Sequence, residues 1–184
     1  MLVLLNGRPG VGKLTIGRLL AERIGARLLD AHTLYNMAFA MTDRGTPAFE
    51  AAVRDLRSVA RRLVLDLPTG VPVVLTDVKF EDSAWGNRLY DDTREWARAR
   101  GGRFVVVVLD CAREENERRL RSPERMGKRK PMDGTLLSAN RYERTPLRRD
   151  ADLAFTLDVT ALAPTDAAER IAAELDRAQI PPPG

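Results

Sequence analysis

A chain of 184 residues has room for one domain with a sizeable core; at 44% hydrophobic and 30% charged residues it reads as soluble and globular, which excludes membrane-embedded and disordered classes. The single cysteine, Cys111, excludes an internal disulfide, suits a reducing cytoplasm and ends an apolar run, where packing is the expected role. The formal net charge is +4, and residues 113–130 alone carry eight Lys/Arg against four Glu, so the excess sits in one stretch and argues for a local anionic ligand rather than a general nucleic-acid surface.

Residues 2–5 form a short continuous apolar run, as expected of a strand buried on both faces. The run is too short for a signal sequence or a membrane span, and nothing elsewhere approaches a span's length. Next comes Gly7-Arg8-Pro9-Gly10-Val11-Gly12-Lys13-Leu14-Thr15, followed by Ile16, Leu19, Leu20, Ala21 and Ile24 at helical spacing up to Gly25. Strand, glycine-rich turn, lysine and helix make the layout of a phosphate-binding loop. Glycines let backbone N–H groups turn inward, and the helix aims its positive end at the same spot. Lys13 adds a point charge for terminal phosphates. The strict motif places Ser or Thr directly after the lysine; here Leu14 stands there and the hydroxyl comes at Thr15.

Residues 26–29 read as a second strand ending at Asp30, and 33–42 as a helix carrying Leu34, Tyr35, Met37 and Phe39. After the break Asp43-Arg44-Gly45, Thr46 or Pro47 opens a long amphipathic helix over 48–67, with Phe49, Val53, Leu56, Ala60, Leu63, Val64 and Leu67 on one side. Residues 71–76 are a β-branched run leading into Asp77, 81–100 a helix with Trp85, Leu89, Trp96 and Ala97 in phase, and 104–109 a strand leading into Asp110. A charged helix is expected over 113–121, an exposed loop over 123–134, and a return to helix over 135–144. A fifth strand over 153–159 and a helix over 164–178, with Thr160 or Thr165 as cap, complete the pattern; 181–184 are expected to be a disordered tail.

Strands alternating with helices imply an α/β fold with a parallel sheet covered on both faces and its ligand at the carboxyl ends of the strands. The polar residues there are Asn6, Asp30, Asp77 and Asp110, of which Asp30 and Asp77 stand out as acids with no evident local partner. Lys79, close behind Asp77, reads as solvated, with a place facing the same cleft as its alternative.

The loop resembles the Gly-x-Pro-Gly-x-Gly-Lys-Gly-Thr of adenylate kinases, where the hydroxyl also stands two places after the lysine. The wider layout resembles the small P-loop kinases: shikimate kinase, gluconate kinase, chloramphenicol phosphotransferase and the bacterial AAA-family ATPases grouped with them. Leu28-Leu29-Asp30-Ala31-His32 sits where these carry a polar substrate-binding motif, residues 106–121 resemble their passage from strand to lid, and residues 153–171 their last strand and helix.

The resemblance implies a three-layer P-loop NTPase fold, strand order 2-3-1-4-5, a single domain over 1–180, and phosphoryl transfer from ATP with Mg²⁺ to a hydroxyl of a sugar, nucleoside-like compound or natural product. Gly7, Arg8, Gly10, Val11, Gly12, Lys13, Leu14 and Thr15 would bind the nucleotide, with Thr15 and Asp77 reaching the metal. Asp30 would be the general base, with an N-cap as its competing reading. His32 is a candidate substrate contact. Arg118 and Arg121 would close over the phosphates beside a mobile lid at 122–135 that carries Arg125, Lys128, Arg129 and Lys130, unless they form a solvated face paired with Glu114, Glu115 and Glu117 on their own helix. Residues 33–67, with Tyr35, Asn36, Met37, Phe39 and Phe49, would cap an acceptor with an apolar face. Arg44, Arg54 and Arg57 keep a nucleoside monophosphate acceptor open. Two further alternatives are a regulatory nucleotide-binding ATPase and a polynucleotide kinase; monomer and homodimer are both compatible with the sequence.

Overall fold

In the computed structural model, residues 1–122 and 142–178 are described. The apolar run after Met1 becomes β1 (Leu2–Asn6), buried along its whole length. It is the middle strand of a five-stranded sheet of order β2-β3-β1-β4-β5, completed by β2 (Arg27–Asp30), β3 (Val73–Thr76), β4 (Phe104–Asp110) and β5 (Leu153–Asp158). All pairings are parallel, with Leu4 opposite Leu75 on one side and Val106 on the other. The order is the one implied by the resemblance.

Alternation along the strands builds two cores. Val3, Leu5, Val74, Val105 and Val107 pack with Ile16 and Leu20 of α1 (Lys13–Arg23) and with Ala168 and Ile171 of α6 (Pro164–Arg177). Leu2, Leu4, Val73, Leu75 and Val106 pack on the opposite face with Ala60 and Val64 of α3 (Pro47–Asp66) and Tyr90 and Trp96 of α4 (Ala84–Ala99). Burying such a side chain is worth about 1.5–3 kcal/mol, and a one-residue slip would turn every one of them to the wrong face. A third cluster, Tyr35, Ala38, Phe49, Val53 and Leu89, joins α2 (Ala31–Met41) to α3 and α4. The remaining helix among the described residues, α5 (Arg113–Leu120), follows β4. Among the described residues no helix is long and apolar enough to cross a membrane.

Helix starts differ from the sequence reading where a side chain caps the backbone. α2 begins at Ala31, not residue 33, because Asp30 accepts the amides of His32 and Thr33. Thr46 caps α3 with Pro47 in its first turn, as expected. α4 begins at Ala84, capped by Ser83; residues 79–81 run instead beside 145–147, with Glu81 N–H on the Thr145 carbonyl at 3.0 Å and Leu147 N–H on the Lys79 carbonyl at 2.9 Å. Neither Thr160 nor Thr165 caps α6: its cap position is Ala163, Pro164 follows, and Thr160 is held by the Asp158 carboxylate. Leu63, expected on the buried side of α3, is 57% exposed, and the buried stripe contains Arg57 instead. Cys111 is buried, and burial pushes its thiol up. The segment 123–134 with its basic residues, the helix expected over 135–144 except its last three positions, and the tail 181–184 lie outside the described residues.

Candidate functional site

The loop between β1 and α1 leads into a helix that has no side-chain cap. Gly12 is the N-cap of α1, no side chain caps the helix, and its first turn holds no acid. A helix N-terminus with no side-chain cap and no acid presents its amides and the positive end of its dipole to an anion. The Lys13 ammonium folds back over the loop and donates to the carbonyls of Gly7 at 2.7 Å and Arg8 at 2.8 Å. Gly10 has φ +91°, and a Cβ there would lie 2.8 Å from both Asn116 Nδ2 and Leu120 Cγ. Only glycine lets α5 close against the loop at this point. Val11 turns its side chain into the core, which leaves only its main chain for any ligand at the loop. Leu14 is half-buried and Thr15 is exposed in the first turn of α1.

Arg8 tethers the loop to its surroundings. Its guanidinium donates to Asp110 Oδ1 at 2.8 Å and to the carbonyls of Tyr142 at 2.9 Å and Arg144 at 3.2 Å. Asn6 does the same from inside the fold. It is fully buried; its Oδ1 accepts the amides of Gly7 and Lys79, and its Nδ2 donates to the carbonyls of Lys79 and Leu147. One side chain thus joins the loop, the exit of β3 and the strand-like return at 147. Asn116 adds a bond from Nδ2 to the Pro9 carbonyl at 2.9 Å and accepts the Tyr142 hydroxyl at 3.0 Å. Neither Asn116 nor Tyr142 carries a pattern in sequence that marks it. Asn6 carries one, a polar residue at the end of a buried strand.

The two acids without evident partners both have them. Asp30 caps α2 through Oδ2, and its Oδ1 accepts the Thr76 hydroxyl at 2.6 Å. Asp77 is ion-paired to Lys79, Nζ to Oδ2 at 2.7 Å, with side chains only 7% and 5% exposed. The expectation that Lys79 is solvated therefore fails. Burial pushes the lysine amine below its ordinary value, and the Asp77 carboxylate pulls it partly back. Asp77 Oδ1 accepts the Val78 amide at 2.8 Å, and Tyr35 directs its hydroxyl to Oδ2 at 3.4 Å. Tyr35 is pushed well above its ordinary range, by burial first and by the Asp77 charge second. His32 stands in the first turn of α2, its ring 6.1 Å from Phe39.

The donors expected for magnesium are not gathered. Thr15 is exposed, Asp77 is taken by an ammonium, and no cluster of three His, Cys, Asp or Glu suited to a metal exists among the described residues. The residues present do not fit a metal ion held by the protein itself. Arg57, one of the arginines open to an acceptor phosphate, is only 3% exposed and turned inward, donating to the Tyr35 hydroxyl, the Leu89 carbonyl and the Thr93 hydroxyl. Arg44 lies over the Phe39 ring at 5.1 Å and Arg54 is exposed.

On α5 the residues touching the loop are Asn116 and Leu120. Arg118 and Arg121 are not brought to it: their side chains are each 73% exposed and pair within the helix, Arg118 with Glu115 at 2.6 Å and Arg121 with Glu117 at 3.9 Å. Arg119 anchors α5 to the carbonyls of Val159 and Thr160 while also holding Glu115. Hydrogen bonds from Arg118 and Arg119 hold the Glu115 carboxyl down to about 2 from its ordinary 4.5. A depressed carboxyl stabilises the fold above its unfolded value and loses that contribution as pH falls through the folded one. Between pH 4.5 and about 2, Glu115→Gln is therefore expected to lose less stability than the wild type, as read from urea midpoints across that range.

Comparison with known proteins places this geometry. The family model of an AAA domain matches residues 3–145. No curated protein sequence matches the chain. Among solved structures, a sugar kinase from Janibacter is similar at a TM-score of 0.61 and 24% identity, over 96% of this chain and 95% of that one. The APS kinase of Mycobacterium tuberculosis, solved with AMPPNP and APS, gives 0.59 and 20% over 95% and 96%. Shikimate kinase from Acinetobacter baumannii, solved with shikimate, gives 0.58 and 20% over 97% and 94%. The chain belongs to the AAA domain family, and its three-layer fold is that of the small P-loop kinases.

Proposed function

We propose that this chain is an ATP-dependent phosphotransferase that moves the γ-phosphate of MgATP to a hydroxyl of a small molecule. The observation that carries the reading is the uncapped, acid-free N-terminus of α1 under the folded-back Lys13 amine, at the carboxyl end of the central strand. Lys13 would leave the Gly7 and Arg8 carbonyls for the terminal phosphates, while the amides around Gly10 and Gly12 line them. Magnesium enters with the nucleotide, as part of the substrate. Arg118 and Arg121 would exchange their glutamates for phosphate oxygens, which is easy because exposed intrahelical pairs are worth only about 0.3–0.5 kcal/mol.

Asp30 would orient the acceptor hydroxyl and take its proton as the phosphoryl group leaves ATP. Its bonds to Thr76 and to two amides of α2 fix the direction of the carboxylate. Residues 33–67 would cover the acceptor. The rings of Phe39 and Phe49 stack there at 5.5 Å, with Tyr35 edge-on to Phe39 at 6.4 Å, and give that cover an apolar side. That solved proteins of this fold include kinases named for a sugar, APS and shikimate supports a small-molecule acceptor.

The test is ATP turnover and nucleotide affinity across a panel of hydroxyl acceptors. Lys13→Ala is expected to weaken binding of a fluorescent ATP analogue by about 10–100-fold, the loss of a charge-assisted contact of about 1.5–3 kcal/mol. Asp30→Asn keeps an N-cap of equal quality, so the fold and nucleotide affinity should hold while acceptor-dependent turnover falls by about 10²–10⁴-fold. Wild type that binds ATP yet phosphorylates no member of the panel, with Asp30→Asn unchanged in ATP turnover, would sink the kinase reading.

A further inference from the structure

Asp77 stands at the end of β3, the strand beside the phosphate-binding loop, where the resemblance places a metal-binding acid. What meets its carboxylate is the Lys79 ammonium at 2.7 Å, in a setting that leaves the two side chains 5–7% exposed. Lys79 is also pinned from behind. Its amide donates to Asn6 Oδ1 at 2.8 Å, and its carbonyl accepts from Asn6 Nδ2 and from the Leu147 amide, each at 2.9 Å. The backbone from which the lysine side chain springs is thus fixed to the same residue that holds Gly7.

Asp77 is committed in the other direction too. The Tyr35 hydroxyl points at its Oδ2 and accepts from Arg57 Nη1 at 3.0 Å. Arg57 Nη2 binds the Leu89 carbonyl and Thr93 hydroxyl at 2.9 Å each, and the guanidinium lies 4.5 Å from the Trp96 ring centre. A divalent ion reaching Asp77 would have to expel the ammonium, leave it buried without its counter-charge, and shed its own tightly held water.

We propose that the Lys79 ammonium takes the place at Asp77 that a divalent cation would occupy, so that this chain binds MgATP with no β3 carboxylate on the metal. Asp77 is then a positioning residue: with Lys79 behind it, it holds Tyr35, and through Tyr35 and Arg57 the helices α2, α3 and α4, against the end of β3. The inference rests on the nucleotide site proposed above and concerns how that site treats its metal.

The test is equilibrium binding of a fluorescent, non-hydrolysable ATP analogue, measured with Mg²⁺ and with EDTA. Wild type, Asp77→Asn and the double variant Asp77→Asn/Lys79→Met are compared; the double variant removes both charges together and leaves neither buried alone. The readout is the ratio of the two dissociation constants, which a merely structural contribution would leave untouched. A ratio within about twofold of wild type in the variants that fold supports the inference, since ion-pair loss then leaves metal linkage intact. A ratio reduced tenfold or more in either variant overturns it, because Asp77 would then be on the metal. Wild type that binds no nucleotide in either condition overturns the kinase reading and this inference together.

Discussion

Replacing Gly7 by alanine is expected to destabilise the protein by about 2–6 kcal/mol, combining about 1–3 for backbone strain with about 1–3 for overpacking. Gly7 has φ +144°, and a Cβ built there falls 2.4 Å from the Leu109 carbonyl oxygen and 3.3 Å from Val11 Cγ2. The clash is with backbone of β4, which is paired on both sides and cannot yield alone. A control separates the two effects. Gly45 also has positive φ, +79°, but nothing lies within 4 Å of its Cβ position, so Gly45→Ala carries the strain without the contact. Urea unfolding of the two variants should give a larger shift for Gly7→Ala by about 1–3 kcal/mol. Equal shifts would mean that the approach of the loop to β4 is not what demands glycine. Nucleotide affinity should fall with Gly7→Ala alone, because the amide that Asn6 holds and the carbonyl that Lys13 holds both belong to Gly7.

Local chemistry made much of this legible from the chain. Residues 2–5 and 104–109 are apolar without interruption, which is what central strands covered on both faces require, and they became β1 and β4. Glycines at 7, 10 and 12 all have positive φ, as the loop motif demands. Thr46-Pro47 opened a helix through a cap and a fixed φ, both properties of single residues. The charged groups were read less well, for a physical reason. A lysine or arginine in isolation is best assigned to solvent, because burying it unpaired is costly. Arg57 is buried because partners brought by other elements, Tyr35 from α2 and Thr93 from α4, compensate it; Lys79 is compensated by Asp77 two residues before it, and that pair is held inside by Asn6 from β1 and Tyr35 from α2. No spacing within one element encodes such a meeting. The acids misled in the same way: Asp30 has its partners two and three residues on, yet its bond to Thr76 exists only because β2 pairs with β3. Arg118 and Arg121 show the reverse case, since glutamates three and four residues away on one helix suffice to hold them.

Lys79→Met should be a strongly damaging single change at the end of β3. It deletes one partner of a buried pair and leaves Asp77 charged inside the protein, for which about 3–5 kcal/mol is expected. Methionine matches the length of the lysine stem, so little of the loss should come from a cavity. The Asp77→Asn/Lys79→Met double variant should recover most of it, since two neutral side chains of similar shape need no counter-charge. Urea unfolding of wild type, both single variants and the double gives the coupling directly, and the loss in the double variant should be far smaller than the sum of the two single losses. Additive losses would mean that the ammonium and the carboxylate are each satisfied by other groups. Arg57 is a further charged group in the network, linked to Asp77 through the Tyr35 hydroxyl. Tyr35→Phe should therefore leave the Lys79–Asp77 coupling largely intact while loosening α3, because it removes the acceptor for Arg57 Nη1 and not the counter-charge of Lys79.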